Sequence, residues 1–328
     1  MSAATPERAA LHAFLDRHQR FLLTTHVNPD GDAIGSEVAM ARWLRARGKQ
    51  VRILNDSPTP SAFGWLTAED TVEVYDEALC EARFAEALKM NSSLRQKMLI
   101  QTKCGIRRGY FDFSKEHILE AVDGSLRRLQ TEMVDVLLLH RPDALVEPEE
   151  VAEAFTILQT SGKVRYFGVS NQNPMQIELL KKHVRQPLII NQLQLSITNT
   201  GMIDAGINVN MKIDPSIDRD GSILDYCRLH DILIQPWSPF QYGFFEGVFL
   251  DNPKFPELNQ KINELAAAKG VTNTAIAVAW LLRHPARMQP ILGTTNPQRV
   301  KDSCQASAIT LSRPEWYEIY RAAGNKLP

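Results

Sequence analysis

The chain has 328 residues and a mass of 37.0 kDa, with 44% hydrophobic and 23% charged residues, which suits a folded protein with one large core or two modest ones. A formal net charge of −1 excludes broad electrostatic attraction to nucleic acid or to an anionic membrane. Cys80, Cys104, Cys227 and Cys304 form no CxxC pair, no apolar run reaches the length of a membrane span, and the opening residues are charged where a signal peptide would be apolar. The expectation is a cytoplasmic protein with free thiols and neither nucleic-acid nor membrane partner.

In chain order, the pattern predicts a helix over 5–18, a strand FLLTT at 21–25, a polar loop, a helix over 35–47 ended by Gly48, and a strand VRIL at 51–54. This is a βαβ-like segment whose loop lies at the carboxyl end of its first strand, where α/β folds usually hold ligands. His26, Asp30 and Asp32 in that loop offer one imidazole and two carboxylates, a set suited to Mn²⁺. The same residues also suit an Asx-rich turn capping a helix that begins near Ser36.

The stretch HVNPDGDAIGS resembles the first motif of the Asp-His-His phosphoesterases, in which the resemblance makes His26, Asp30 and Asp32 metal ligands. The Asp-His-His triplet of that family is absent from the chain, and Asp56, after the second strand, lacks its expected partners. Three ligands at one corner do not hold two metal ions and a phosphate. No working metal site is therefore expected, and Mn²⁺-dependent phosphoester hydrolysis is the weakest of the functional readings.

From residue 78 the pattern changes to repeated strand and helix units. The predicted strands are MLIQT at 98–102, VDVLLL at 134–139, VRYFGV at 164–169, PLIINQ at 187–192, ILIQPW at 232–237 and PILG at 290–293. The predicted helices are 82–90, 115–129, 149–160, 174–183, 222–229, 257–268, 273–283, 297–305 and 313–323. Strands alternating with amphipathic helices imply a parallel sheet covered by helices. With VRIL, TVEVY at 71–75 or FLLTT supplying the remaining strands, a closed TIM-type (β/α)8 barrel is favoured over an open doubly wound sheet; GxGxxG is absent.

Chemistry in such a barrel belongs at the carboxyl ends of the strands. Lys103 and His140 stand there on consecutive strands, followed by Ser170, Asn171, Gln192, Trp237, Ser238, Gly293 and Thr294. The stretches LIQTKCG, VDVLLLHRPD, GKVRYFGVSN, IINQLQLS, LIQPWSPF and ILGTTNPQRVKDS, with the last helix EWYEIYRAAGNKLP, resemble the aldo-keto reductases over residues 79–328. That family is a barrel that reduces small carbonyl compounds with NADPH, or NADH in some members.

The resemblance implies Lys103 as catalytic lysine and His140 as the group that orients the carbonyl. It also implies Ser170, Asn171 and Gln192 on the nicotinamide carboxamide, and Trp237 stacked on the ring beside Ser238. Gly293, Thr294, Arg299 and Ser303 would lie near the adenosine 2′-phosphate, with Arg299 as its main partner. The family's general acid is a tyrosine five residues before a Cys-Glu pair, and Tyr75 stands five before Cys80–Glu81, with Asp70 five before it. The flanking AEDTVEVYDE is otherwise unlike the family.

The chain thus looks like a chimera, with a phosphoesterase-like segment over 1–70 replacing or preceding the first strands of a reductase-like barrel over 71–328. The leading expectation is NADPH-dependent reduction of aldehydes or ketones. The alternative is a catalytically impaired barrel that binds a cofactor or partner. The polar segment 196–222 is expected to be a long irregular loop on the active face. Neither the substrate nor the oligomeric state is specified by these features.

Overall fold

The computed structural model describes residues 13–25, 30–55, 59–74, 77–107, 109–243 and 246–328. They divide into two compact units, Met1–Met90 and Asn91–Pro328.

The first unit is built on a three-stranded parallel sheet in the order β1 (Arg20–Leu23), β2 (Gln50–Asn55), β3 (Val72–Val74). Helix Gly31–Arg45 links β1 to β2 and buries Ile34, Val38 and Ala41 with Ile53 of the sheet. It begins earlier than the expected Ser36, because Asp30 caps it by accepting a hydrogen bond from Ala33 N at 2.9 Å. Beneath the carboxyl ends of the strands, Asn55 Nδ2 donates to the buried Glu37 at 2.7 Å, and Asn55 Oδ1 accepts from Thr25 N at 3.2 Å. Burial raises the Glu37 carboxyl above its ordinary range, and the Asn55 hydrogen bond opposes that rise. β3 and helix Glu77–Met90 group with this unit.

The second unit holds a five-stranded parallel sheet. Its strands are β4 (Gln101–Cys104), β7 (Val134–Leu139), β8 (Val164–Ser170), β9 (Leu188–Gln194) and β10 (Leu233–Trp237), in the order β10-β9-β8-β7-β4. β7 is apolar apart from Asp135 and buried at every position, as a strand covered on both faces must be. The run expected at 290–293 begins earlier: Ile234 and Met288 form a parallel bridge, Gln289 N donates to Ile234 O, and Ile291 N donates to Pro236 O. A sixth parallel segment therefore lies beside β10.

This sheet curls. Laid flat, β4 and β10 would stand roughly 19 Å apart, four spacings of about 4.8 Å. Instead the Gln101 amide donates to the Gln235 side chain across 2.8 Å. Close approach on the sheet is permitted by Gly168, where a Cβ would lie 2.7 Å from both the Ile190 carbonyl oxygen and a Leu138 methyl. Only glycine fits there.

Helices cover the outside. Phe155 of helix Pro148–Thr160 stacks on Phe167 of β8 with centroids 4.1 Å apart. Helix Asn273–Arg283 and the last helix, Arg313–Ala322, are clasped by a reciprocal pair. Each of the Trp280 and Trp316 indole N–H groups donates to the other residue's carbonyl at 3.0 Å, with the rings stacked 4.7 Å apart.

Two short antiparallel hairpins were not expected: β5–β6 (Ile106–Arg107 with Tyr110–Phe111) and β11–β12 (Gln241–Tyr242 with Gly247–Val248). Segment 196–222 is also more ordered than an irregular loop. It contains helix Gly201–Ile207 and a 3-10 turn at Asp214–Ser216, and Asp204 in that helix accepts the Tyr320 hydroxyl at 2.7 Å.

Candidate active site

Parallel register brings the ends of neighbouring strands in the second unit to one rim. Lys103 lies near the end of β4, His140 directly follows β7, Ser170 ends β8 with Asn171 next, Gln192 lies in β9 opposite Ser170, and Trp237 ends β10. Lys103 Nζ donates to Gln192 Oε1 at 3.4 Å, although β4 and β9 are separated by two strands in the sheet. The curl makes that contact.

His140 is partly buried at this rim, and its pKa is pushed down to about 4, first by burial and then by the charges of Lys103 and Arg141. The imidazole is therefore neutral near pH 7 and carries one ring N–H. Arg141 also lies over the Trp237 ring, 5.7 Å from its centroid.

The polar cluster opposite is tightly wired. Ser170 Oγ and Asn171 N both donate to the Gln192 carbonyl oxygen, at 3.1 and 2.9 Å. Asn171 Nδ2 donates to Ser170 Oγ at 2.8 Å, while Asn171 Oδ1 accepts from Trp237 Nε1 at 3.2 Å. Asn171 holds a left-handed conformation, φ 55°, which asparagine tolerates better than most residues. Its side chain is thereby turned back onto the strand ends.

A cavity of about 500 Å³ lies beside β10, and its walls include Ser238, Phe240, Gly293, Thr294, Arg299 and Ser303. Arg299 and Ser303 lie on helix Pro297–Gln305, capped by Asn296, which accepts from Gln298 N and Arg299 N. Ser303 is buried and its hydroxyl donates to the Arg299 carbonyl at 2.8 Å. An arginine beside a helix amino end is a setting for a phosphate group.

The structure thus brings together Lys103, His140, Ser170, Asn171, Gln192 and Trp237, and gathers Ser238, Gly293, Thr294, Arg299 and Ser303 around one cavity. Asp70 is placed in the first unit, where its carboxylate accepts from Arg42 Nε at 2.7 Å and also pairs with Arg45. Tyr75 and His26 lie outside the described residues, as does Asp56. Among the described residues no group of three or more His, Cys, Asp or Glu side chains could hold a metal ion. Asp30 is a helix cap and Asp32 lies in that helix's first turn. No single helix among those residues is long and apolar enough to cross a membrane.

Sequence reasoning missed Gln101, Gln235 and Gln289, which link to Gln192 inside the curled sheet. A signal was present. Gln101 stands two residues before Lys103 and Gln235 two before Trp237, so strand alternation puts each on the same face as the rim residue.

The profile of the Aldo/keto reductase family matches residues 66–323. A 6-dehydroglucose reductase of Agrobacterium fabrum is 33% identical over 274 residues, covering 80% of this chain and 84% of that protein. Oxidoreductase YdhF of Escherichia coli is 32% identical over 268 residues, covering 79% and 83%. Among solved structures, the thermostable aldo-keto reductase Tm1743 aligns with a TM-score of 0.57 at 20% identity, over 90% of this chain and 89% of that one. An aldo-keto reductase from a Medee basin deep-sea metagenome library gives a TM-score of 0.56 at 20% identity, over 93% and 92%. The fold these likenesses share with the chain is the (β/α)8 barrel.

Proposed function

The chain belongs to the aldo/keto reductase family, and from that premise we propose that it reduces small aldehydes or ketones to alcohols with NADPH. The observation that carries this reading is the rim itself: a lysine ammonium beside a neutral histidine, facing a cluster of amide and hydroxyl groups. The donor set fits a nicotinamide nucleotide. Ser170, Asn171 and Gln192 offer hydrogen-bond partners to a carboxamide, the Trp237 indole offers a flat face to a ring, and Arg299 offers a fork to a 2′-phosphate. Bound there, the reduced cofactor supplies the hydride that reaches the carbonyl carbon.

The remaining work falls to the chain. His140, held neutral, donates its ring N–H to the carbonyl oxygen and orients it. The oxygen must then gain a proton, and we assign that donation to Tyr75. The family profile extends over it, and its spacing from Cys80–Glu81 supports the assignment. A phenol with a pKa of ~10 yields its proton slowly at neutrality, and a lysine cation brought close to it, the role proposed for Lys103, would lower that value. Lys103 is steadied by Gln192. Asp70, held by Arg42 and Arg45, is left out of the proposed set.

One observation favours a second reading. β3, which leads into Tyr75, is hydrogen-bonded to β2 of the first unit. On that reading the chain is a nicotinamide-binding barrel without a positioned acid, joined to a phosphoesterase-like front over residues 1–70.

Titration with NADPH, followed by nicotinamide fluorescence, and turnover of an aldehyde panel test both readings. The first expects binding and turnover, with Tyr75→Phe leaving affinity intact and lowering the rate at least roughly 10²-fold. Binding without turnover supports the second reading. No binding up to about millimolar NADPH sinks both, because useful sites work well below that.

A further inference from the structure

The curled sheet holds an amide network that reaches the rim from below. Gln192 Nε2 donates to Gln235 Oε1 at 3.2 Å, and Gln101 Nε2 donates to the same oxygen at 2.8 Å. Gln235 Nε2 donates in turn to Gln101 Oε1 at 3.1 Å and to Gln289 Oε1 at 3.0 Å. Gln192 and Gln235 are buried, and they face each other in the register of β9 and β10.

The orientation of these amides is dictated by one cation. An ammonium only donates, so Lys103 forces Gln192 to present its oxygen. The Gln192 amide nitrogen must then find an acceptor, because a buried polar group without a partner is costly. Gln235 Oε1 is that acceptor, and the bond leaves one Gln192 N–H for a ligand. Gln235 Nε2 is correspondingly turned away, toward Gln101 and Gln289.

We propose that Gln235 is a positioning residue for the reductase site, acting through Gln192 on Lys103 and on the nicotinamide carboxamide. The proposal rests on the reading of the rim as a nicotinamide site. The Gln235 side chain bonds to Gln192, Gln101 and Gln289, so its part is played through Gln192. By accepting from the Gln192 nitrogen, it holds that amide in the orientation Lys103 selects, with the oxygen towards Lys103.

The test compares Gln235→Met with Gln235→Glu at pH 8. Methionine keeps the bulk and removes every hydrogen bond, whereas glutamate keeps the acceptor for Gln192 and Gln101. The readouts are NADPH affinity by fluorescence, kcat and KM for an aldehyde, the melting temperature, and the side-chain amide resonances of Gln192 without ligand. A lost buried partner predicts about a tenfold fall in kcat for Gln235→Met, NADPH binding weakened several-fold, and displaced Gln192 resonances. Gln235→Glu should recover most of the rate.

A purely structural role predicts the reverse order, since methionine suits an apolar interior better than a carboxylate does. Gln235→Met at the parent rate and affinity, or more active than Gln235→Glu, overturns the proposal while leaving the reductase reading in place. Failure of the parent to bind NADPH overturns the reductase reading and this proposal with it.

Discussion

Acidification between pH 7 and pH 5 should weaken the folded state through two histidines. His140 and His284 are both pushed from 6.5 to about 4, each mainly by burial, with Lys103 acting second on His140 and Arg228 second on His284. His284 Nδ1 also accepts the Ala286 N–H at 3.1 Å, which suits a neutral ring. A lowered folded-state pKa means that the unfolded chain takes up protons first. The contribution of these two rings is therefore full above pH 6.5, falls as pH drops towards 4, and levels off below it. Between pH 7 and pH 5 such a shift corresponds to about 2 kcal/mol per histidine at most. Both rings are only partly buried, and solvent screening reduces this to roughly 1 kcal/mol each, or about 2 in total. Urea unfolding followed by far-ultraviolet circular dichroism at the two pH values measures the loss. The His140→Gln, His284→Gln double variant should lose correspondingly less. Glu37, whose carboxyl is raised by burial, acts with the opposite sign, but it is common to both proteins and cancels in the comparison. A double variant that loses as much stability as the parent would show that these rings are solvated and refute the reasoning.

Two further predictions concern the cofactor cavity and the sheet. Arg299→Ala should weaken NADPH binding about tenfold or more while leaving NADH nearly unchanged, because a charge-assisted pair is typically worth about 1.5–3 kcal/mol. An equal fall for both nucleotides in a fluorescence titration would remove Arg299 from the 2′-phosphate. Gly168→Ala should lower stability by about 1–3 kcal/mol, since its new methyl would meet the Ile190 carbonyl and Leu138 at 2.7 Å. An unchanged urea midpoint would mean that the sheet relaxes freely at that point.

Much of the rim was legible because parallel strands announce their ends. An apolar run such as VDVLLL must stop where burial stops, so the first polar residue after it, His140, falls at the rim. The same logic located Lys103, Ser170, Asn171, Gln192 and Trp237. It failed for elements too short to show a period, such as the two-residue strands β5, β6, β11 and β12. Helix Gly201–Ile207 escaped because two of its seven residues are glycines and its only fully buried residue is Ile203. The start of helix Gly31–Arg45 was placed too late because Gly31 and Asp32 read as loop, while the Asp30 cap overrides their poor helix propensity. Gln235 was missed for another reason, although its spacing from Trp237 marks its face. A glutamine inside a strand reads as surface until the curl of the sheet supplies its partners from strands far away in sequence.

The reciprocal tryptophan clasp has an optical consequence. Two indoles 4.7 Å apart and within 6° of parallel share their excited states, so they absorb and emit differently from separated indoles. Trp280 belongs to helix Asn273–Arg283 and Trp316 to helix Arg313–Ala322, so that signature exists only while the two helices are docked. Undocking of the last helix would separate the chromophores before the parallel strands need to part. The chain therefore carries a label-free spectroscopic marker of its own carboxyl-terminal closure.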